Sequence, residues 1–326
     1  MAFENVTMPP MLSPQLYRRA IPAGARVSRW QAPDGWALRR FDWPSDGGRG
    51  GLLFQTGRGD VFEKYLETLA YWHGQGWSVT AVDWRGQGGS GRLCADPLVG
   101  HCDAFEPWLD DLAAFWTGWA AQVEGPRVLV GHSMGGHLTL RALAEGRVAA
   151  DAAVLVAPML GLRSPVGNWA GERVARLMAR TGDPARAAWD SNEIPTARTS
   201  RMALLTHDQA RYDDELWWYA AKPELRLGPP SWRWLAEAFA STRLLARDPR
   251  LAEMRTPLLM LLAEADRLVD PRAALRIAAR LPDVQVVRFG KEARHEILRE
   301  ADAVRGPALD AIDRFLQVRA PARQVA

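Results

Sequence analysis

Long apolar runs are absent from this sequence: no stretch approaches the roughly 18 consecutive apolar residues that a membrane-spanning helix needs. Residues 1–21 lack the basic start and continuous apolar segment of a secretory signal, and carry Glu4 and prolines at 9, 10 and 14 instead. A cytoplasmic protein is expected, with membrane contact no more than peripheral, at the inner face. Cysteine is scarce. Cys94 and Cys102 are too few for a disulfide framework, so two free thiols are expected, with a single bridge between them left open. A strong excess of one charge sign is also missing. The 41 Lys and Arg against 38 Asp and Glu give +3, too small and too scattered to point to a nucleic acid, and the arginines read as solvated surface.

What is present is ordinary globular composition. The chain has 326 residues, 48% of them apolar and 24% charged, enough for one large domain or for a core with an inserted subdomain. Two strand-like runs, 26–31 and 36–42, flank Ala32-Pro33-Asp34-Gly35 and predict an antiparallel hairpin. The pattern then alternates, with strands over 51–55, 78–83, 127–130 and 152–156 and helices over 61–75, 104–122 and 134–144. Such alternation implies right-handed crossovers and an α/β fold, a mostly parallel central sheet with helices on both faces. Periodicity lapses from 157 to about 227, where prolines, short helical pieces such as 173–180, and tryptophans at 169, 189, 217 and 218 occur. It resumes with helix 232–245, strand 258–263, helix 272–280, strand 284–289 and helix 303–318. The chain therefore divides into an N-terminal core segment over 1–157, a helical cap or lid over 158–230 and a C-terminal core segment over 231–326. An insertion at this point lies over the carboxyl ends of the strands, where open α/β sheets bind ligands.

The segment Val128-Leu129-Val130-Gly131-His132-Ser133-Met134-Gly135-Gly136 reads as strand, sharp turn and helix with Ser133 at the apex. Small residues two before and two after the serine let the chain turn tightly enough for the hydroxyl to stand clear of the backbone. Ser133 is thus posed as a nucleophile, and a serine nucleophile needs a histidine, a carboxylate and oxyanion donors. On an elbow of this type the partners follow in the order Ser, acid, His. Of the six histidines, only His295 lies beyond the last strand, in a polar loop before the final helix. The acid belongs in the loop after strand 258–263, where Asp266 is favoured; Asp270 precedes Pro271 and suits a helix N-cap. Asp266 would fix the His295 tautomer, leaving the other ring nitrogen to take the Ser133 proton. For the oxyanion hole, the expected backbone N–H donors are Met134, at the helix start, and Arg58, in the glycine-flanked loop Thr56-Gly57-Arg58-Gly59-Asp60.

Three segments, the elbow Gly131 to Gly136, Asp83-Trp84-Arg85-Gly86-Gln87-Gly88-Gly89-Ser90, and Glu264 to Asp270 with the later His295-Glu296, carry a family likeness. On them the chain resembles the α/β-hydrolase superfamily of serine hydrolases, and within it the bacterial lysophospholipase and monoacylglycerol lipase group. Thr56 and Gln87 depart from the pattern, since the family usually has histidine at both places. The segment 83–90 is given a structural role, with Asp83 and Arg85 bonding nearby backbone. The resemblance implies an α/β-hydrolase fold with an inserted cap and hydrolysis of a carboxylic ester of a single-chain lipid through an acyl-enzyme. It implies no metal and no organic cofactor. An esterase, lactonase, thioesterase or amidase on another small molecule would use the same triad, and a non-catalytic binding protein on this scaffold is the reading from a different class. In the cap, Leu216-Trp217-Trp218-Tyr219 cannot all face one core from a helix, so Trp217 and Trp218 are expected to line an acyl pocket.

Overall fold

A computed structural model describes residues 18–164, 167–189 and 198–322. Residues 1–17, most of the segment that the signal-peptide argument concerns, lie outside the described residues. The hairpin forms as expected: β1 (Arg26–Gln31) pairs antiparallel with β2 (Ala37–Trp43), and Gly35 closes the turn at φ 84°. β3 (Gly51–Gln55) is followed by a 3-10 turn, Phe62–Tyr65, and then α1 (Leu66–Gly74). The sequence suggested one helix over 61–75. It breaks because all four residues of the turn are buried, and Glu63, Lys64 and Tyr65 are anchored by polar partners rather than along one helix face.

Next come β4 (Ser78–Val82), α2 (Glu106–Ala120), β5 (Arg127–His132), α3 (Met134–Ala144) and β6 (Ala152–Val156). The sheet is completed by β7 (Leu258–Ala263) and β8 (Val284–Phe289). Its strand order is β1-β2-β4-β3-β5-β6-β7-β8. Beyond the antiparallel pairs β1·β2 and β2·β4, every pairing is parallel. The central strands are buried on both faces, which explains their near-continuous apolar composition. Alternate residues feed two cores. Leu53, Leu129 and Leu155 face a cluster built on α2 and α3, while Phe54, Val130 and Val156 face the layer of α1 and the C-terminal helix. Truncating one such fully buried leucine to alanine typically costs about 2–5 kcal/mol.

Between β6 and β7 the chain forms α4 (Asn168–Arg180), α5 (Arg198–Leu205), α6 (Gln209–Ala221) and α7 (Trp232–Arg247). Asp208 and Ser231 cap α6 and α7 through their side-chain oxygens. α8 (Pro271–Ala278) starts on Asp270, whose carboxylate accepts the Arg272 N–H at 3.0 Å, and α9 (Asp302–Arg319) closes the chain. Both cysteines are free thiols.

Candidate active site

The elbow is defined by what glycine permits. Ser133 takes φ 51°, a left-handed conformation unusual for a side-chain-bearing residue. A Cβ on Gly131 would meet Gly135 O at 2.7 Å, and one on Gly135 would meet Gln55 O at 2.4 Å. Backbone bonds fix the turn: Ser133 N–H donates to Val156 O at 3.0 Å, and Ser133 O accepts from His137 and Met159 at 3.0 and 2.9 Å. α3 starts at Met134, whose N–H lies at the positive end of the helix dipole.

His295 Nδ1 and Asp266 Oδ2 lie 2.6 Å apart, both nearly fully buried. The other oxygen, Asp266 Oδ1, accepts the Leu268 and Val269 N–H groups at 2.8 and 3.1 Å, which aims the carboxylate. Burial pushes the Asp266 carboxyl up, but His295 and the two amides outweigh it and hold the pKa below the ordinary range. Burial pulls His295 down, but Asp266 wins again and raises the imidazole above its usual 6.5, with Glu296 and Asp60 pushing the same way.

The loop after β3 comes close to the elbow: a Cβ on Gly57 would lie 3.2 Å from Ser133 Cβ and 2.8 Å from Asp60 Oδ2. Gly57 N–H donates to Asp60 Oδ2 at 3.1 Å, and Gly59 N–H donates to Gln87 Oε1 at 2.6 Å. Gln87 Nε2 reaches Met134 Sδ at 3.9 Å, so one side chain spans the two segments that bear the expected oxyanion donors. Asp60 also accepts from Tyr65 Oη at 2.9 Å and from Lys64 Nζ. The Lys64 ammonium, completely buried, further meets Glu296 Oε1 at 2.7 Å and Glu215 Oε2 at 3.0 Å. Burial would raise Asp60, yet Lys64 and His132 bring it down to about 2; Glu296 ends at about 2 through Arg299 and Lys64. Asp60, His132 and Glu296 stand close enough to share a cation. Lys64 already supplies positive charge to both carboxylates, and burial with the nearby His295 pushes His132 down to about 4, leaving it neutral.

Ser133, His295, Arg58, Asp60 and Glu296 line one cavity of about 360 Å³ under the segment between β6 and β7. Its aromatic wall is Trp189, Trp232, Trp234 and Phe239. Trp217 and Trp218 are not part of that wall, which corrects the expectation for the acyl pocket. α6 turns Trp218 into the core beneath it, with its indole N–H on Arg18 O at 2.7 Å, and leaves Trp217 39% exposed with its ring edge-on to that of Trp218. Within the segment 83–90, Asp83 bonds nearby backbone as expected and Arg85 does not. Asp83 accepts the Gly89 N–H at 2.9 Å, whereas Arg85 binds the carboxylates of Asp34 and Asp111 rather than backbone. His137, next to the elbow, hydrogen-bonds Ser241 Oγ at 2.7 Å, and burial takes its pKa down to about 3.

A family model described as serine aminopeptidase, S33 matches residues 48–302. The chain belongs to this family, Hydrolase_4. The Hydrolase_4 match runs from just before β3 to the start of α9 and so spans Arg58, Ser133, Met134, Asp266 and His295. Lysophospholipase L2 of Escherichia coli (strain K12) is 36% identical over 285 residues, covering 81% of this chain and 79% of that protein. Probable lysophospholipase L2 of Haemophilus influenzae is 27% identical over 296 residues, covering 87% and 88%. Among solved structures, a soluble variant of monoglyceride lipase from Saccharomyces cerevisiae superposes with TM-score 0.73 at 17% identity, covering 92% of this chain and 97% of that one. Paleococcus ferrophilus monoacylglycerol lipase gives 0.68 at 20% identity, over 86% and 98%. The fold is the α/β-hydrolase fold.

Sequence reasoning did not find Asp60, Lys64, Glu215, Glu296 and Arg299 as one buried cluster, nor Gln87 as a link between loops. The signal for Gln87 was its departure from the family histidine.

Proposed function

We propose that Ser133, His295 and Asp266 act as a catalytic triad, with Met134 and Arg58 N–H groups as the oxyanion hole and residues 158–230 as the cap over it. The chain is a carboxylic ester hydrolase, and its substrates are single-chain lipids of the lysophospholipid or monoacylglycerol kind. The observation that carries the triad is the 2.6 Å contact between His295 and Asp266 at the wall of the cavity that holds Ser133. His295 Nε2 takes the Ser133 proton as Oγ attacks the ester carbonyl, Asp266 stays ionised and steadies the imidazolium, and the oxyanion forms against the two amides. The proton then passes from His295 to the leaving alcohol. Water, activated by the same imidazole, releases the acid from the acyl-enzyme. Ser133→Ala is expected to lose nearly all turnover and all fluorophosphonate labelling at an unchanged melting temperature. Ordinary turnover in that variant would sink the assignment.

Peripheral membrane contact belongs to the same reading. α4 exposes Trp169 at 70% and Leu177 at 61% beside Arg173, Arg176 and Arg180, a composition suited to an anionic lipid interface. Trp169→Ala with Leu177→Ala should lower cosedimentation with anionic vesicles. No change would remove membrane contact from the proposal. No helix among the described residues is long and apolar enough to cross a membrane.

A further inference from the structure

The cavity carries charge that ester cleavage does not use. Among the described residues six charged side chains line it: Arg58, Arg163, Arg201, Arg267, Asp60 and Glu296. Four are already engaged. Asp60 and Glu296 hold Lys64, Arg201 pairs with Glu215 at 3.0 Å, and the Arg58 guanidinium donates to Gly228 O at 2.9 Å. Arg163 and Arg267 remain, both exposed, and among the described residues neither has a carboxylate within ion-pair distance. Arg163 Nε makes only a long 3.4 Å contact with Val269 O. The two arginines come from adjoining loops. An antiparallel bridge joins Leu162 to Val269, and Arg163 N–H donates to Leu268 O at 3.1 Å, so the strand end after β6 lies beside the loop after β7. Arg267 directly follows Asp266 and lines the same cavity as Ser133 and His295. Two unneutralised guanidiniums on the wall of one cavity make it electropositive, and a wall of this kind concentrates an anion.

We propose that Arg163 and Arg267 form a subsite for the phosphodiester monoanion of the substrate headgroup, so that the enzyme selects glycerophospholipids with one acyl chain over neutral monoacylglycerols. This rests on the ester hydrolysis at Ser133 proposed above. A guanidinium presents a planar fork of N–H donors that matches phosphate oxygens in a bidentate way, which a neutral glycerol cannot exploit. With the phosphate held at the arginines, the acyl chain lies along the apolar wall of Val174, Leu205, Trp232 and Phe239, and the ester carbonyl faces Ser133.

The test compares hexanoyl lysophosphatidylcholine with 1-hexanoylglycerol, both below their micellisation concentrations so that surface binding plays no role. Arg163→Gln with Arg267→Gln is expected to lower kcat/KM for the phospholipid by about tenfold, through KM, because exposed charge-assisted bonds are partly screened. Turnover of the neutral glyceride should stay within about twofold. Raising the salt concentration should weaken the wild type on the phospholipid alone. The double lysine variant, which keeps charge and loses the fork, should fall between the two and guards against loss of folding. An equal fall on both substrates, or no fall on the phospholipid, overturns the subsite. A fall seen only when the phospholipid is presented in vesicles also overturns it and assigns the arginines to the lipid surface. If wild type and Ser133→Ala turn over neither ester above background, the hydrolase reading itself fails, a result separate from any change in selectivity.

Discussion

Lys64→Met is the most demanding perturbation of this site. Among the described residues Lys64, Arg201 and Arg299 face Asp60, Glu215 and Glu296, three cations against three anions, and removing the ammonium takes one positive charge from the buried carboxylates. Methionine fits the space but donates nothing. Breaking a buried ion cluster from one side typically costs about 3–5 kcal/mol. At about 2 °C per kcal/mol, the low end for larger domains, the melting temperature should drop by about 6–10 °C. The pH dependence gives the sharper check. In the wild type Asp60 and Glu296 have pKa values of about 2, below the roughly 4 of the unfolded chain, so their stabilisation is essentially complete at both pH 5 and pH 8 and is lost as pH falls from roughly 4 through about 2. Without Lys64, burial dominates at Asp60, which loses its largest opposing charge, and its pKa rises above the unfolded value, while Glu296 keeps Arg299. The penalty is then largest at pH 8 and shrinks as acid protonates the cluster, so the deficit measured by urea unfolding should be smaller at pH 5 than at pH 8. Adding Glu215→Gln removes one of the carboxylate charges as well and should recover some of the loss. A deficit under about 1 kcal/mol, or one equal at both pH values, would refute the reasoning.

Two further outcomes follow from the same geometry. Gln87→Leu leaves the Gly59 N–H without its 2.6 Å acceptor, at a cost of about 1–3 kcal/mol, and loosens the loop that bears Arg58; kcat on a soluble aryl ester should fall by about 10- to 1000-fold with KM nearly constant, and a kcat within about twofold in a folded variant would dismiss Gln87 as a positioning residue. His295 must be neutral to accept a proton, and its pKa is raised, so activity should disappear as pH falls through a value above 6.5; Asp266→Asn removes the main cause and should move that limb to lower pH while cutting the plateau by about 10⁴-fold, which a pH–rate profile of both proteins checks.

The features legible in the sequence were those written in local steric or topological terms. Gly131 and Gly135 stand where any Cβ would collide with backbone, so the elbow announced itself in the pattern of missing side chains. Pro271 marked Asp270 as a helix cap, and Asp270 indeed accepts the Arg272 N–H, while Asp266 is the carboxylate that meets His295. The charged cluster was not legible, since Lys64 finds Glu296 at a separation of 232 residues and nothing in the local pattern pairs them. The same holds for Trp218: helical periodicity tells that α6 has an inner face, but the partner that defines inside, the Arg18 carbonyl, lies 200 residues away. Arg85 was assigned to backbone because glycines surround it. Its partners Asp34 and Asp111 come from the hairpin turn and α2, which only the sheet order brings together.

The nucleophile and the rest of the site are held by different physics, and that decides how each fails. A non-glycine residue at positive φ costs on the order of 1–3 kcal/mol and persists only where its surroundings over-determine it. At Ser133 the determinants are backbone hydrogen bonds and glycine contacts, none of which titrates. The loops bearing Arg58 and His295 are instead joined through Asp60, Lys64 and Glu296, with the His132 ring tilted at 54° to that of His295, 4.8 Å between centroids. His132 has a folded pKa of about 4 against 6.5 when unperturbed. The unfolded chain therefore binds the extra proton first, and stability declines as pH falls from 6.5 toward 4, before the carboxylates at about 2 begin to protonate. Acid should thus act first at His132, where the elbow meets the His295 loop and Asp60, so that activity disappears ahead of the sheet.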